Sequence, residues 1–401
     1  MTMGAALYKG AIYAMSSYSQ GNLYMNAIDM VSGVVKWKRH LPKAVFGDGS
    51  SLFVYNDTIL FALRDHVEDL PTPTGQDGNN QFAAMNSSDG ALLWEYTADD
   101  VIWNFMPSTP GDGTFLVANQ CGGIYRMNWA GKLVWRAGRP NPKHWCSCGG
   151  GVLGPNGLFY VEFNDWERNE GVVASHRLGD GALVWERRWE GIQTYGGWQH
   201  PAVGRLAPGN RLAVVANLGG ITGKPQFPGV SWLQQATLPE WAKVLFYERV
   251  FMKYSWVRRL AGVMLLPNAV PALDAETGKT IWWVEEEPWD HPAMAGDGEP
   301  FVKRWDRFWK NTTREDPWCQ PDPQAIPLIT GDGTVYAASG HTGRLSALRD
   351  NDGDGNITGP EEISTFETRI GFLSSPSLAP GMLVAAPCWG PVYVFKDLAQ
   401  R

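Results

Sequence analysis

Apolar and polar positions along the chain fall into short runs broken by turn residues, and one such run returns five times. The copies are Ala27-Ile-Asp-Met-Val-Ser-Gly33-Val-Val-Lys-Trp37, Ala84-Met-Asn-Ser-Ser-Asp-Gly90-Ala-Leu-Leu-Trp94, Arg126-Met-Asn-Trp-Ala-Gly131-Lys-Leu-Val-Trp135, Ser175-His-Arg-Leu-Gly-Asp-Gly181-Ala-Leu-Val-Trp185 and Ala272-Leu-Asp-Ala-Glu-Thr-Gly278-Lys-Thr-Ile-Trp282. Each predicts a strand, a tight turn and a second strand. A side chain such as Asp or Asn hydrogen-bonds back into its own turn, the Gly supplies a positive φ, and the apolar residues after it start the outgoing strand.

Upstream of most copies lies a second phrase, an apolar strand opened by Gly, Pro or Asn. Examples are Gly111–Ala118, Gly154–Val161, Pro208–Ala216, Gly331–Ala338 and Pro380–Ala386. Small apolar residues in these runs suit inner strands near a central axis. The two phrases together mark repeating four-stranded antiparallel units at about 5–40, 45–98, 100–138, 145–190, 197–287, 320–368 and 371–397. The pattern predicts one all-β domain over 1–401, a β-propeller with seven readable blades; an eighth fits if a degenerate blade hides in the insertions. The last unit lacks its Gly-x-x-x-Trp strand, as ring closure by the other terminus would require, since an unpaired edge invites aggregation.

Composition agrees with many short strands and tight turns: 46 Gly, 27 Pro and only 19% charged residues. Tryptophan, at 20 residues, is several times more frequent than usual, and rings that large need places set by the architecture. A formal net charge of −7 argues against a nucleic-acid partner bound by the protein as a whole. The five cysteines (Cys121, Cys146, Cys148, Cys319, Cys388) form no paired zinc motif, and their odd number leaves at least one unpaired within the chain. The first residues carry no secretory pattern and no transmembrane run appears, so the protein is made without a signal or this chain is a processed or trimmed form.

The phrase Ala272–Trp282 resembles the docking repeat of the PQQ-dependent alcohol dehydrogenases and of noncatalytic relatives such as the bacterial outer-membrane assembly lipoprotein. That resemblance implies that Trp37, Trp94, Trp135, Trp185 and Trp282 stack on a neighbouring blade's turn and join the blades. It also implies an extracytoplasmic or luminal setting, and it admits two functions, because this fold hosts both enzymes and scaffolds. In the methanol-type quinoprotein dehydrogenases a Trp-Asp pair follows a similar phrase, and its Asp acts as base toward the alcohol. The position inheriting that role is Asp290, in Pro288-Trp-Asp290-His291, with PQQ near the axis.

The sharpest local chemistry is Asp350-Asn-Asp352-Gly-Asp354-Gly355-Asn356-Ile-Thr358-Gly-Pro-Glu361. Oxygen ligands from Asp350, Asp352, Asp354 and Glu361, with a backbone carbonyl at Asn356, follow the spacing of a calcium loop. The flanks read as strands, so calcium here predicts a staple within a blade turn. Cys146 and Cys148, with His144 nearby, suggest either a soft metal site or a glycine-assisted bulge beside Gly149–Gly151. Sequons at Asn56, Asn86, Asn311 and Asn356 add little, because such triplets arise often by chance.

Two insertions interrupt the repeats. Residues 219–268 contain a helical stretch from Leu238 to Leu260, whose apolar residues exceed one stripe; it should bury two faces, or one face and a partner. Residues 291–320 contain Phe301–Lys310, patterned as a short amphipathic helix. Both suit a lid on the propeller, a docking surface for another protein, or a membrane-surface contact. The preferred reading is a noncatalytic, calcium-stapled interaction platform; the other is a PQQ-dependent dehydrogenase oxidising an alcohol or aldehyde.

Overall fold

The computed structural model describes residues 5–19, 22–41, 52–63, 80–100, 102, 105–119, 121–138, 150–165, 168, 170–190, 200–220, 237–261, 265–291, 294–296 and 324–396. The chain divides into two compact units, Met1–Arg188 with Trp198–Pro201, and Trp189–Gly197 with Ala202–Arg401. The expected Phe301–Lys310 helix, His144, Cys146, Cys148, Cys319 and Asn311 lie outside the described residues.

Among the described residues the architecture is all-β, with seven antiparallel sheets consistent with propeller blades and little helix. The first unit carries β1 (Ala6–Tyr8), β2 (Ala11–Ser19), β3 (Asn22–Asp29) and β4 (Val35–Leu41) as one sheet. β5 (Phe53–Tyr55), β6 (Thr58–Leu63), β7 (Gln81–Asn86) and β8 (Leu92–Thr97) form the next. β9 (Thr114–Ala118), β10 (Ile124–Asn128) and β11 (Leu133–Ala137) form the third, to which Ser108 adds a bridge at Leu116. The fourth contains β12 (Gly151–Leu153), β13 (Leu158–Asp165), β14 (Glu170–Arg177) and β15 (Leu183–Glu190).

In the second unit β16 (Ala202–Leu206), β17 (Arg211–Val215), β18 (Leu218–Gly219), β19 (Leu266–Asp274) and β20 (Thr280–Trp289) share a sheet. β21 (Leu328–Ile329), β22 (Val335–Ala338), β23 (Arg344–Leu348) and β24 (Ile363–Glu367) make the next, and β25 (Ser377–Ala379), β26 (Met382–Ala385) and β27 (Tyr393–Lys396) the last. The second-phrase strands β13, β17 and β22 are each second in their sheets, after β12, β16 and β21. Their unbroken apolar character reflects burial on both faces, as in β13, where every residue is buried.

Cores form where sheets stack face to face. Tyr13, Met15 and Met25 of the first sheet share a cluster with Ile59, Phe61 and Met85 of the second. Phe82 of the second meets Phe115 and Met127 of the third, and Leu116 and Ile124 of the third meet Phe159 and Val172 of the fourth. Buried rings of this size contribute about 1.5–3 kcal/mol each.

The repeated phrase folds the same way each time. Asp29 donates its N–H to Val34 O while Gly33 donates to Asp29 O, and Asn86/Gly90, Asn128/Gly131 and Asp274/Gly278 repeat the pattern. A ladder irregularity falls one or two residues before the Gly-bearing turn in four sheets, at Ala27/Ile28, Ala84/Met85, Arg126/Met127 and Ala272/Leu273. The turn glycines have φ between 68° and 77°, a region that costs a side chain-bearing residue about 1–2 kcal/mol.

Candidate functional site

Among the described residues of the second unit, the helical insertion meets the end of a strand. Pro239 precedes α1 (Glu240–Phe246), which runs into a π turn at Tyr247–Phe251 where Met252 N–H donates to Tyr247 O at 2.8 Å. α2 (Ser255–Leu260) follows after a break. The expected stretch is therefore helical but interrupted. Arg258, buried on α2, explains how the break is tolerated: its Nη1 donates to both Phe251 O and Met252 O at 2.7 Å. Those carbonyls at the end of a helical turn would otherwise lack partners.

The other guanidinium nitrogen of Arg258 holds Asp290. Nη2 lies 2.8 Å from Asp290 Oδ1 and 3.0 Å from Oδ2, and both side chains are buried. Asp290 follows directly on β20, so this pair ties the insertion to the blade. His291 Nε2 stands 3.7 Å from Asp290 Oδ1. The Trp289 ring packs edge-on against His291 at 4.4 Å and stacks on His341 at 5.3 Å with planes 9° apart.

Burial, with the Arg258 charge adding to it, lowers the His291 pKa to about 4. Burial, with His291 adding to it, lowers that of His341 to about 3. Asn268 Nδ2 donates to Glu287 O at 3.2 Å and faces His341 Nδ1 at 3.0 Å. A carbonyl can only accept, so the amide nitrogen is correctly placed there, and His341 Nδ1 must be the bare, accepting nitrogen. Across the β19–β20 ladder from Asn268, burial pushes Glu286 up to about 7 against the pull of Arg344. The site thus combines a closed ion pair with two neutral imidazoles.

The acidic loop lies elsewhere in the second unit, between β23 and β24. Arg349 N–H donates to Glu362 O as Asp29 N–H does to Val34 O, so the loop stands where the repeated turn stands in the other sheets, eight residues longer between donor and acceptor. Ligand oxygens of Asp350, Asp352 and Glu362 come within 4.8 Å of one another, a possible acidic metal site. Asp350 Oδ1 and Oδ2 accept from Gly353 and Gly355 N–H at 2.6 and 3.2 Å, Asp352 Oδ1 from Asp354 N–H at 3.1 Å, and Asp354 Oδ1 from Asn356 N–H at 2.6 Å. The spacing rule chose Glu361, yet Glu361 is exposed beside Gly359. It is Glu362 that turns inward and accepts from Asn351 and Thr358 N–H at 2.8 and 2.9 Å, bonds that lower its pKa. Asp354 and Asn356 are exposed and outside the three-residue group. These oxygens suit a hard cation such as calcium.

The five tryptophans of the repeat take related but unequal positions. Trp37 Nε1 donates to Ser87 O at 3.0 Å, and its ring covers Gly90, where an added Cβ would fall 2.8 Å from Cζ3. Trp94 Nε1 donates to Trp129 O at 2.9 Å over Gly131. Trp135 lies over Gly181 without a partner for Nε1. Trp185 packs against Tyr160, and Trp282 is buried in a core shared with Ile357 of the acidic loop. Cys121 and Cys388 are each disulfide-bonded, a state the sequence left open.

Arg258, Asn268, Glu286, His341 and Glu362 were not singled out by sequence. No spacing rule links them to Asp290 or Asp350, and only Arg258 carried a hint, as a basic residue late in a helical stretch.

Repeated four-stranded sheets with Gly–Trp turns define a propeller of the PQQ-like class. BamB from Moraxella catarrhalis superposes with a TM-score of 0.53 at 12% identity, covering 99% of this chain and 83% of that one. A europium-containing methanol dehydrogenase does so with a TM-score of 0.52 at 12% identity, covering 98% and 76%. No family model and no curated protein matches the sequence. The fold is therefore a PQQ-like β-propeller, shared by a protein named BamB and an enzyme.

Proposed function

We infer that the chain is a noncatalytic PQQ-like propeller that serves as an interaction platform for a protein partner, with a calcium ion stapling the Asp350–Glu362 loop. The observation that carries this reading is the buried Arg258–Asp290 pair. The carboxylate that resemblance nominates as a base is engaged on both oxygens by an arginine from the insertion, so it serves to seat that element on the blade. BamB supports the platform side of the fold and the methanol dehydrogenase the enzymatic side, and neither likeness goes beyond fold.

A quinone oxidation also requires a metal beside PQQ to polarise it. Among the described residues, the three-ligand grouping is at Asp350, Asp352 and Glu362, and none surrounds Asp290. In the tryptophans we read the members that lock neighbouring sheets, with Trp282 seated on the calcium loop.

The test is incubation with PQQ and calcium, followed by reduction of an artificial electron acceptor with simple primary alcohols and aldehydes. The platform reading expects no turnover above the protein-free rate. Turnover lost in a folded Asp290→Asn variant would instead establish the dehydrogenase.

A further inference from the structure

The helical insertion was expected to bury two faces, or one face and a partner, and it buries one. Tyr247 and Phe251, their rings stacked 5.7 Å apart, point inward with Arg258 and Ala261. Trp241 and Leu245, one turn apart on α1, are 70% and 49% exposed; Trp256 and Leu260, one turn apart on α2, are 61% and 80% exposed. Leu238 and Tyr254 extend the apolar surface, with the Tyr254 ring 6.3 Å from that of Trp256. Among the described residues, every other tryptophan is buried or half-buried. Leaving two indoles and three leucines in water is unfavourable unless something covers them.

Charge selects the cover. Over 240–261, Lys243, Arg249, Lys253, Arg258 and Arg259 outnumber Glu240 and Glu248, in a chain whose formal net charge is −7. Arg258 is spent on Asp290, but Arg249, Lys253 and Arg259 are exposed near the apolar residues in sequence, and the Lys253 ammonium sits over the Tyr254 ring at 5.5 Å from its centre. Exposed tryptophan and leucine at helical spacing, interleaved with basic side chains, match an interface that is apolar within and anionic at its surface.

We propose that the α1–π–α2 insertion is an interfacial anchor that seats this protein on an anionic phospholipid surface. Trp241, Leu245, Trp256 and Leu260 enter the headgroup region, and Arg249, Lys253 and Arg259 bind lipid phosphate. The Arg258–Asp290 pair then transmits the anchorage to the blade. No helix among the described residues is long and apolar enough to cross a membrane, so the contact is peripheral. The proposal goes beyond the platform reading and does not depend on it.

The experiment is flotation of the full chain with phosphatidylcholine vesicles, with and without phosphatidylglycerol. Flotation with phosphatidylglycerol vesicles, weakened by salt, is expected. Trp256→Ser with Leu260→Ser should abolish it, while Val31→Ser, at a 90% exposed site elsewhere, should not. Lys253→Glu with Arg259→Glu, which leaves the apolar residues in place, should reduce partitioning by roughly tenfold or more. Absence of flotation, equal flotation on pure phosphatidylcholine, or retention by either double variant would overturn the proposal. So would concentration-dependent self-association lost in the Trp256/Leu260 variant, which would make a second copy the occupant.

Discussion

Arg126 Nη1 donates to the carbonyl oxygen of Leu178 at 2.7 Å, at the turn position where Trp37 and Trp94 use their indole N–H groups on Ser87 and Trp129. Arg126 is braced by Asp112, 2.6 Å from Nη2, and it leaves Trp135 Nε1 without a partner. One junction between sheets therefore replaces an indole hydrogen bond with a guanidinium.

The replacement predicts unequal costs. Trp94→Phe leaves the Trp129 carbonyl without its donor and should destabilise by about 1–3 kcal/mol, whereas after Trp37→Phe the Ser87 carbonyl keeps the Tyr13 hydroxyl at 3.2 Å and the cost should be smaller. Trp135→Phe removes a donor that has no acceptor and should cost about 1 kcal/mol less than Trp94→Phe, while Arg126→Met should behave like Trp94→Phe. Denaturant unfolding of the four variants checks the order.

Gly131 and Gly157 share nearly the same φ, 77° and 73°, but only Gly131 lies under a tryptophan. An added Cβ falls 2.6 Å from Trp94 Cδ2 at Gly131 and meets nothing within 4 Å at Gly157. Alanine at either position pays about 1–2 kcal/mol for backbone conformation, and Gly131→Ala should lose a further 1–3 kcal/mol or so from overpacking. Equal melting temperatures for the two variants would remove the stacking argument.

These turns were legible because a positive φ demands Gly locally, and the ring over each Gly, which comes from the preceding sheet (Trp37 over Gly90, Trp94 over Gly131, Trp135 over Gly181), shows in the sequence because the phrase repeats. The blade boundaries follow from the same phrase. The Arg258–Asp290 pair was not legible, since its partners belong to a helix and a strand end with no common periodicity. Glu362 was missed for a geometric reason. The calcium-loop spacing assumes a helix after the loop, whereas here β24 follows, and the loop closes through Arg349 N–H and Glu362 O. Entry into a strand turns Glu362 inward and leaves Glu361 outside. The helix break at the π turn was likewise hidden, because Arg258 satisfies the freed carbonyls from a turn farther along.

If the acidic loop holds calcium, saturating calcium should stabilise the protein by about 2.7 kcal/mol at a hundredfold excess over the dissociation constant. Glu362→Gln should remove most of that gain and Glu361→Gln little of it. Calorimetric titration and melting with and without chelator make the comparison, and the reverse order would restore the spacing rule.

Acid should weaken the second unit through its histidines. His291 and His341 titrate near 4 and 3 in the folded chain but near 6.5 when unfolded. Between those values the unfolded state binds more protons, so stability is complete above about pH 6.5 and falls as pH drops toward the folded values. Each histidine contributes a slope of about 1.4 kcal/mol per pH unit in that window. His341→Gln should flatten the acid limb of a plot of stability against pH; an unchanged limb would mean that the imidazole is not held neutral.

The role assigned to Asp290 is tested most directly by the unfolding free energies of the parent protein, Arg258→Met, Asp290→Asn and the double variant. A buried pair that seats the insertion predicts that each single change costs about 3–5 kcal/mol and that the double variant loses far less than the two together. An Asp290→Asn protein as stable as its parent, or more stable, would contradict the account, because a carboxylate kept for catalysis and not for the fold behaves in that way.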